Sequence, residues 1–187
     1  MIEIQQVSME DYLDAEELTL GQNEYLNGHV YPLSSPHERH NLIVGNLYYH
    51  LRTATRGSRC KVFMSTMKLR INERSTFYYP DLMVCCDSED NHNLYKSRPF
   101  LIAEVLSTTT EVIDRREKLI AYQDIPGLQY YFLIASHQMQ ADYYQRTGDG
   151  SWSGTRLEHD NIVEIDCPGA KTIFLCLNDF YQEVPMP

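Results

Sequence analysis

The sequence has no excess of positive charge. Its 187 residues carry 26 acidic side chains against 16 basic ones, a formal net charge of −10. Phosphate backbones attract basic surfaces, so a general nucleic-acid-coating protein is disfavoured, while a local basic groove or an acidic cation site stays open. No run approaches the roughly 18 apolar residues of a membrane-crossing helix, and no membrane partner is expected. The opening MIEIQQVSMEDY lacks a charged segment followed by an apolar run and does not read as a secretory signal. Repeats, low-complexity tracts and linkers are also missing, so residues 1–187 are expected to form one domain. The cysteines are few and scattered: Cys60, Cys85, Cys86, Cys167 and Cys176. Their odd number and the lack of a zinc-ligand spacing read as reduced thiols of a cytoplasmic protein.

What is present is an ordinary globular composition, 43% hydrophobic and 22% charged, which is enough for a real core. Ser8 before Met9-Glu10-Asp11 reads as the cap of a short helix ending near Leu18. Asn27-Gly28 between two β-prone runs predicts a tight hairpin. Ser34 or Ser35 with Pro36 opens a longer helix, in which Leu42, Ile43, Leu47 and Leu51 recur at helical spacing and Gly57 is the stop. CKVFM, MKLRI, YYPDLMVCC and FLIAEVL read as strands. STTTEVIDRREKLIAYQDIPG reads as a threonine-capped helix, and LQYYFLIAS and MQADYYQR as a strand pair. Residues 88–98 and 147–154 are expected to be loops. The tyrosine pairs at 48–49, 78–79, 130–131 and 143–144 are expected to pack one member and expose the other. An α/β or α+β fold satisfies these readings.

One residue breaks the pattern. Glu104 sits inside the apolar strand FLIAEVL, where a lone carboxylate is costly unless a cation, a metal or a proton compensates it. Asp81 follows Pro80 at the start of another apolar strand. If the two strands are neighbours, the carboxylates converge, and a divalent cation such as Mg2+ or Mn2+ suits such oxygen ligands. Asp114, Lys118 and Tyr122 are spaced i, i+4, i+8 on the helix that follows, so they form one stripe that can return over the acids. Two acids and a lysine are the parts of metal-dependent phosphodiester hydrolysis.

Pro80-Asp81 with Glu104-Val105-Leu106 resembles the proline–aspartate, acid–x–lysine nuclease superfamily. The lysine of the last motif is replaced by Leu106. Lys118 is the candidate for a lysine that has migrated to the following helix. EVLSTTT with Asp114, Lys118 and Tyr122, followed by QYYFLIA, resembles the Uma-type family of restriction endonucleases. NEYLNGHVY and HNLIVGNLYYHL resemble that family's hairpin and first long helix. The resemblance implies a restriction-endonuclease-like core, a mixed central β-sheet flanked by helices. It implies catalytic Asp81, Glu104 and Lys118, and a Mg2+ or Mn2+ ion held by Asp81, Glu104 and the carbonyl of Val105. Glu24, His40, Asp114 and Tyr122 fall at accessory positions. It further implies DNA as substrate and a homodimer.

The primary expectation is therefore a metal-dependent endodeoxyribonuclease, in which the three catalytic side chains converge in an open pocket with a positive rim. The alternative is a dimeric binding or scaffold module that keeps the nuclease fold without turnover, favoured if packed side chains cover the acids. Proton transfer by an isolated carboxylate pair ranks last.

Overall fold

The computed structural model describes residues 6–33, 37–71, 75–107, 114–159 and 161–185. Helix α1 (Met9–Leu18) begins where the Ser8 hydroxyl oxygen accepts the Asp11 backbone N–H at 3.0 Å. Strands β1 (Asn23–Leu26) and β2 (His29–Pro32) form the expected hairpin. Its turn residues, Asn27 and Gly28, have φ of 50° and 93°, the double positive φ that matches the twist of a two-residue hairpin. A Cβ on Gly28 would also lie 3.1 Å from the Gln6 side chain. Gly28→Val should lower the unfolding free energy by about 1–2 kcal/mol, read as a lower urea midpoint at unchanged slope. An unchanged midpoint would show that this turn accepts a side chain.

Helix α2 (Glu38–Thr55) starts after His37 and buries Ile43, Val44, Leu47 and Leu51; Gly57, at φ 81°, follows its end. The opening expected at residues 34–36 lies outside the described residues. Then come β3 (Lys61–Met64), β4 (Lys68–Ile71), β5 (Thr76–Tyr78), β6 (Leu82–Cys85), β7 (Tyr95–Lys96) and β8 (Leu101–Leu106). A π-helical turn, Asp114–Lys118, runs into α3 (Leu119–Gln123). The threonines expected to cap this helix, Thr108 to Thr110, lie outside the described residues. The remaining elements are β9 (Tyr130–Ala135), β10 (Ala141–Arg146), β11 (Trp152–Leu157), β12 (Ile162–Ile165), β13 (Ile173–Cys176) and α4 (Leu177–Tyr181). The loop expected at 88–98 thus contains a short strand, and the one at 147–154 gives way to β11 at Trp152.

The central sheet has the order β11-β10-β9-β8-β6-β3. Strands β8 and β9 run parallel and the other neighbours antiparallel, so the sheet is mixed as expected. A parallel pair needs a crossover, which the segment carrying α3 supplies. A second sheet, β2-β1-β5-β4-β7, and the β12–β13 hairpin complete the fold.

Strands β6, β8 and β9 are buried at every position because both faces of the central sheet are covered. Alternation sends Val84, Leu101, Ala103 and Phe132 to the core shared with α2 and α4. It sends Met83, Ile102, Tyr131 and Leu133 to the core shared with Tyr122 of α3 and with Leu69 and Ile71 of the second sheet. The one-in, one-out reading of the tyrosine pairs holds at partly buried Tyr48 and exposed Tyr49. It fails at Tyr78–Tyr79 and Tyr130–Tyr131, all four of which are buried.

Cys60 and Cys86 form a disulfide, which corrects the expectation of five reduced thiols; Cys85, Cys167 and Cys176 are free. The pair lies one step beyond Lys61 and Cys85 in the β3/β6 ladder, so strand register brings the two Cα atoms to 4.0 Å. The cysteine argument for a reducing compartment falls with this bond. No helix among the described residues is long and apolar enough to cross a membrane.

Candidate active site

Strands β6 and β8 pair Leu82 with Ala103, which sets Asp81 opposite Glu104 one step further along the ladder. Period-two alternation puts both acids on the face of Met83, Ile102 and Leu106. Two reciprocal hydrogen bonds tie them together. The Asp81 backbone N–H donates to Glu104 Oε2 at 3.2 Å, and the Val105 N–H donates to Asp81 Oδ2 at 2.7 Å. Val105 is therefore joined to the site through its N–H.

Three side chains from other elements close on this pair. Lys118, the last residue of the π-helical turn, brings Nζ to 3.3 Å from Glu104 Oε1 and 3.1 Å from Glu24 Oε1. The ammonium also lies 5.5 Å from the centre of the Tyr78 ring, a distance at which cation and ring attract. The Tyr122 hydroxyl donates to Glu104 Oε1 at 2.7 Å. Burial, with the Glu104 charge second, holds this phenol well above its ordinary pKa, so Tyr122 stays a donor. On the other side His40, in the first turn of α2, sets Nε2 3.0 Å from Asp81 Oδ2. Its Nδ1 is buried with no hydrogen-bond partner among the described residues.

The structure thus gathers Glu24, His40, Asp81, Glu104, Lys118 and Tyr122 into one connected network. The Asp114 side chain lies outside the described ones. Lys118 and Tyr122 do share a face, although Lys118 belongs to a π turn, a local feature that recurs at functional sites. Among the described residues, Lys118 and Tyr122 compensate Glu104. The open pocket expected from the sequence is corrected. Side-chain exposure is 4% for Glu104, 8% for Lys118 and 11% for Glu24, and reaches 17% at Asp81 and 16% at His40. Access is therefore from the Asp81–His40 side.

Among the described residues no group of three or more His, Cys, Asp or Glu side chains is arranged to hold a metal. The donor chemistry nevertheless fits Mg2+ or Mn2+. Asp81 and Glu104 are hard oxygen donors, and Asp81 Oδ1 takes no hydrogen bond from a described residue. Mg2+ keeps several waters and needs only one or two protein carboxylates beside the oxygens of a phosphate.

Sequence reasoning missed a supporting acid. Glu16 of α1 is buried and accepts the Asn23 N–H at 2.8 Å, the Asn23 side-chain amide at 3.0 Å and the Tyr79 hydroxyl at 2.9 Å. The Tyr79 backbone N–H in turn makes a long contact, 3.5 Å, with Glu24 Oε1. An acid in a helix as charged as MEDYLDAEEL gives no sequence signal of burial.

Residues 9–171 match the family model Uma2, described as "Putative restriction endonuclease". The chain belongs to this family. Two proteins of Synechocystis sp. are similar along most of their length. "Uncharacterized protein sll1609" is 34% identical over 159 residues, 83% of this chain and 89% of the relative. "Uncharacterized protein slr1290" is 32% identical over 164 residues, 87% and 86% of the two chains. A crystal structure of "a putative nuclease belonging to DUF820 from Anabaena variabilis ATCC 29413" superposes with a TM-score of 0.74, covering 94% of this chain and 97% of that one. At 15% identity that likeness concerns the fold alone. All the side chains of the network lie inside the Uma2 match.

Proposed function

We propose that this Uma2 protein is a metal-dependent endonuclease that hydrolyses phosphodiester bonds of DNA. The observation that carries the reading is the hydrogen-bonded Asp81–Glu104 pair with the Lys118 ammonium against it. Asp81, Glu104 and the Val105 carbonyl would hold Mg2+ or Mn2+, which supplies Lewis-acid polarisation of the phosphate and a more acidic water. The chain's own residues do the rest. His40 Nε2 fixes the Asp81 carboxylate from the accessible side. Glu24 anchors Lys118, so the ammonium keeps a partner whenever Glu104 turns to another cation. Lys118 orients the attacking water and stabilises negative charge developing on the phosphate. Tyr122 positions the Glu104 carboxylate through a charge-assisted hydrogen bond. A homodimer suited to the two strands of a duplex belongs to the same proposal.

The test is nicking of supercoiled plasmid by the purified protein with Mg2+, with Mn2+ and with chelator. Nicking should need the metal and should fall roughly a thousand-fold or more in Asp81→Ala. No nicking in either metal by folded protein would move the function to the second reading, a non-catalytic dimeric module. The burial of Glu104 and Lys118, already compensating each other, is the observation that favours that module.

A further inference from the structure

A second feature lies at the far end of β6. Asp81 precedes that strand, whereas Cys86 and Asp87, just past its other end, border an open cleft of about 680 Å3. Just ahead of β8 the cleft is met at Phe100, four residues before Glu104, or about 13 Å along an extended chain. No residue of the candidate active site lines it.

Three arginines from separate segments do line it: Arg59 ahead of β3, Arg70 in β4 and Arg98 ahead of β8. Arg98 pairs with Asp87 at 3.1 Å on the exposed surface. Among the described residues no carboxylate forms an ion pair with Arg59 or Arg70. Arg70 donates from Nη1 to the Tyr95 hydroxyl at 2.9 Å and lies over the Tyr95 and Phe77 rings at 5.3 and 6.0 Å. Its Nε is buried with no hydrogen-bond partner among the described residues. Asp90, a neighbouring acid, is turned inward and takes the backbone N–H groups of Ser97 and Arg98. In a chain with a net charge of −10, three guanidinium groups against one carboxylate, Asp87, on the same cleft are a departure from the acidic average. Guanidinium forks match the oxygens of a phosphate. Ile71, Ile125 and Pro126 supply apolar wall, and the volume is that of a small-molecule site.

We propose that this cleft is a second ligand site, which binds a small phosphate monoester carrying an apolar ring, the class of the nucleoside monophosphates. The phosphate meets Arg59 and Arg98, and the ring lies on the apolar wall. The site shares no residue with the candidate nuclease centre, so either proposal can fail without the other.

Calorimetric titration of the full chain with adenosine 5′-monophosphate, adenosine and inorganic phosphate tests it. The monophosphate should bind with Kd below about 1 mM, and each fragment at least about ten-fold more weakly. The Arg59→Gln, Arg98→Gln double variant changes exposed side chains and should keep its melting temperature while losing about ten-fold or more in affinity. Asp81→Ala should bind as the parent does. No binding of the monophosphate, equal binding of inorganic phosphate, full affinity in the double variant, or loss of binding in Asp81→Ala would each overturn the assignment.

Discussion

Lys118→Met should melt roughly 10 °C below the parent protein in metal-free buffer. The ammonium lies between Glu24 Oε1 at 3.1 Å and Glu104 Oε1 at 3.3 Å, and it is almost fully buried. Methionine keeps the volume and removes the charge, which leaves two buried carboxylates facing each other. Removing one partner of a buried pair costs about 3–5 kcal/mol, and in a domain of this size each kcal/mol moves the transition by about 2–4 °C. Thermal melts with chelator and with Mn2+ distinguish the two functional readings. If the acids belong to a metal site, Mn2+ should restore part of the loss, because a divalent cation takes the place of the ammonium. If the network is purely structural, the loss should persist at every Mn2+ concentration. An unchanged melting temperature would mean that Lys118 does not sit between the two acids.

The centre of this network was legible because it violates local rules. Glu104 is an acid inside an otherwise apolar strand, and Asp81 follows a proline that opens another. Asn27-Gly28 was legible for a similar reason, since few dipeptides suit two consecutive positive φ values. What could not be read depends on register and on contacts distant in sequence. Cys60 and Cys86 are 26 residues apart, and only the β3/β6 pairing sets them face to face. Tyr78 of the second sheet packs in one core with Tyr131, while Tyr130 lies in the core on the opposite face of the central sheet, so both members of the 130–131 pair are buried. The same layering buries Glu104 and Lys118, where the sequence reading expected an open pocket. Arg59, Arg70 and Arg98 lie on three segments whose convergence has no trace in composition or spacing.

The two acids look alike in the sequence and differ in the structure, so their amide variants should behave differently. Asp81 Oδ2 accepts both the Val105 N–H and His40 Nε2, and Oδ1 has no hydrogen-bond partner among the described residues. In Asp81→Asn the carboxamide oxygen can keep both contacts while the NH2 group takes the place of Oδ1. Its stability should stay within about 1 kcal/mol of the parent. Glu104 offers no such freedom. Oε1 accepts Lys118 Nζ and the Tyr122 hydroxyl, and Oε2 accepts the Asp81 N–H. In either orientation the amide of Glu104→Gln points its NH2 at a donor, and Lys118 also loses a charge partner. An unsatisfied buried donor costs about 1–3 kcal/mol and a broken buried ion pair adds to it, so a loss of about 3 kcal/mol is expected. Urea unfolding of the two variants measures this difference. Plasmid nicking should fall roughly a thousand-fold in both, since each removes a charged oxygen proposed to hold the metal. A stable Asp81→Asn protein that still nicks at the parent rate would sink the nuclease assignment at its most exposed acid. Equal stability losses in the two variants would show that Asp81 is as tightly enclosed by the fold as Glu104.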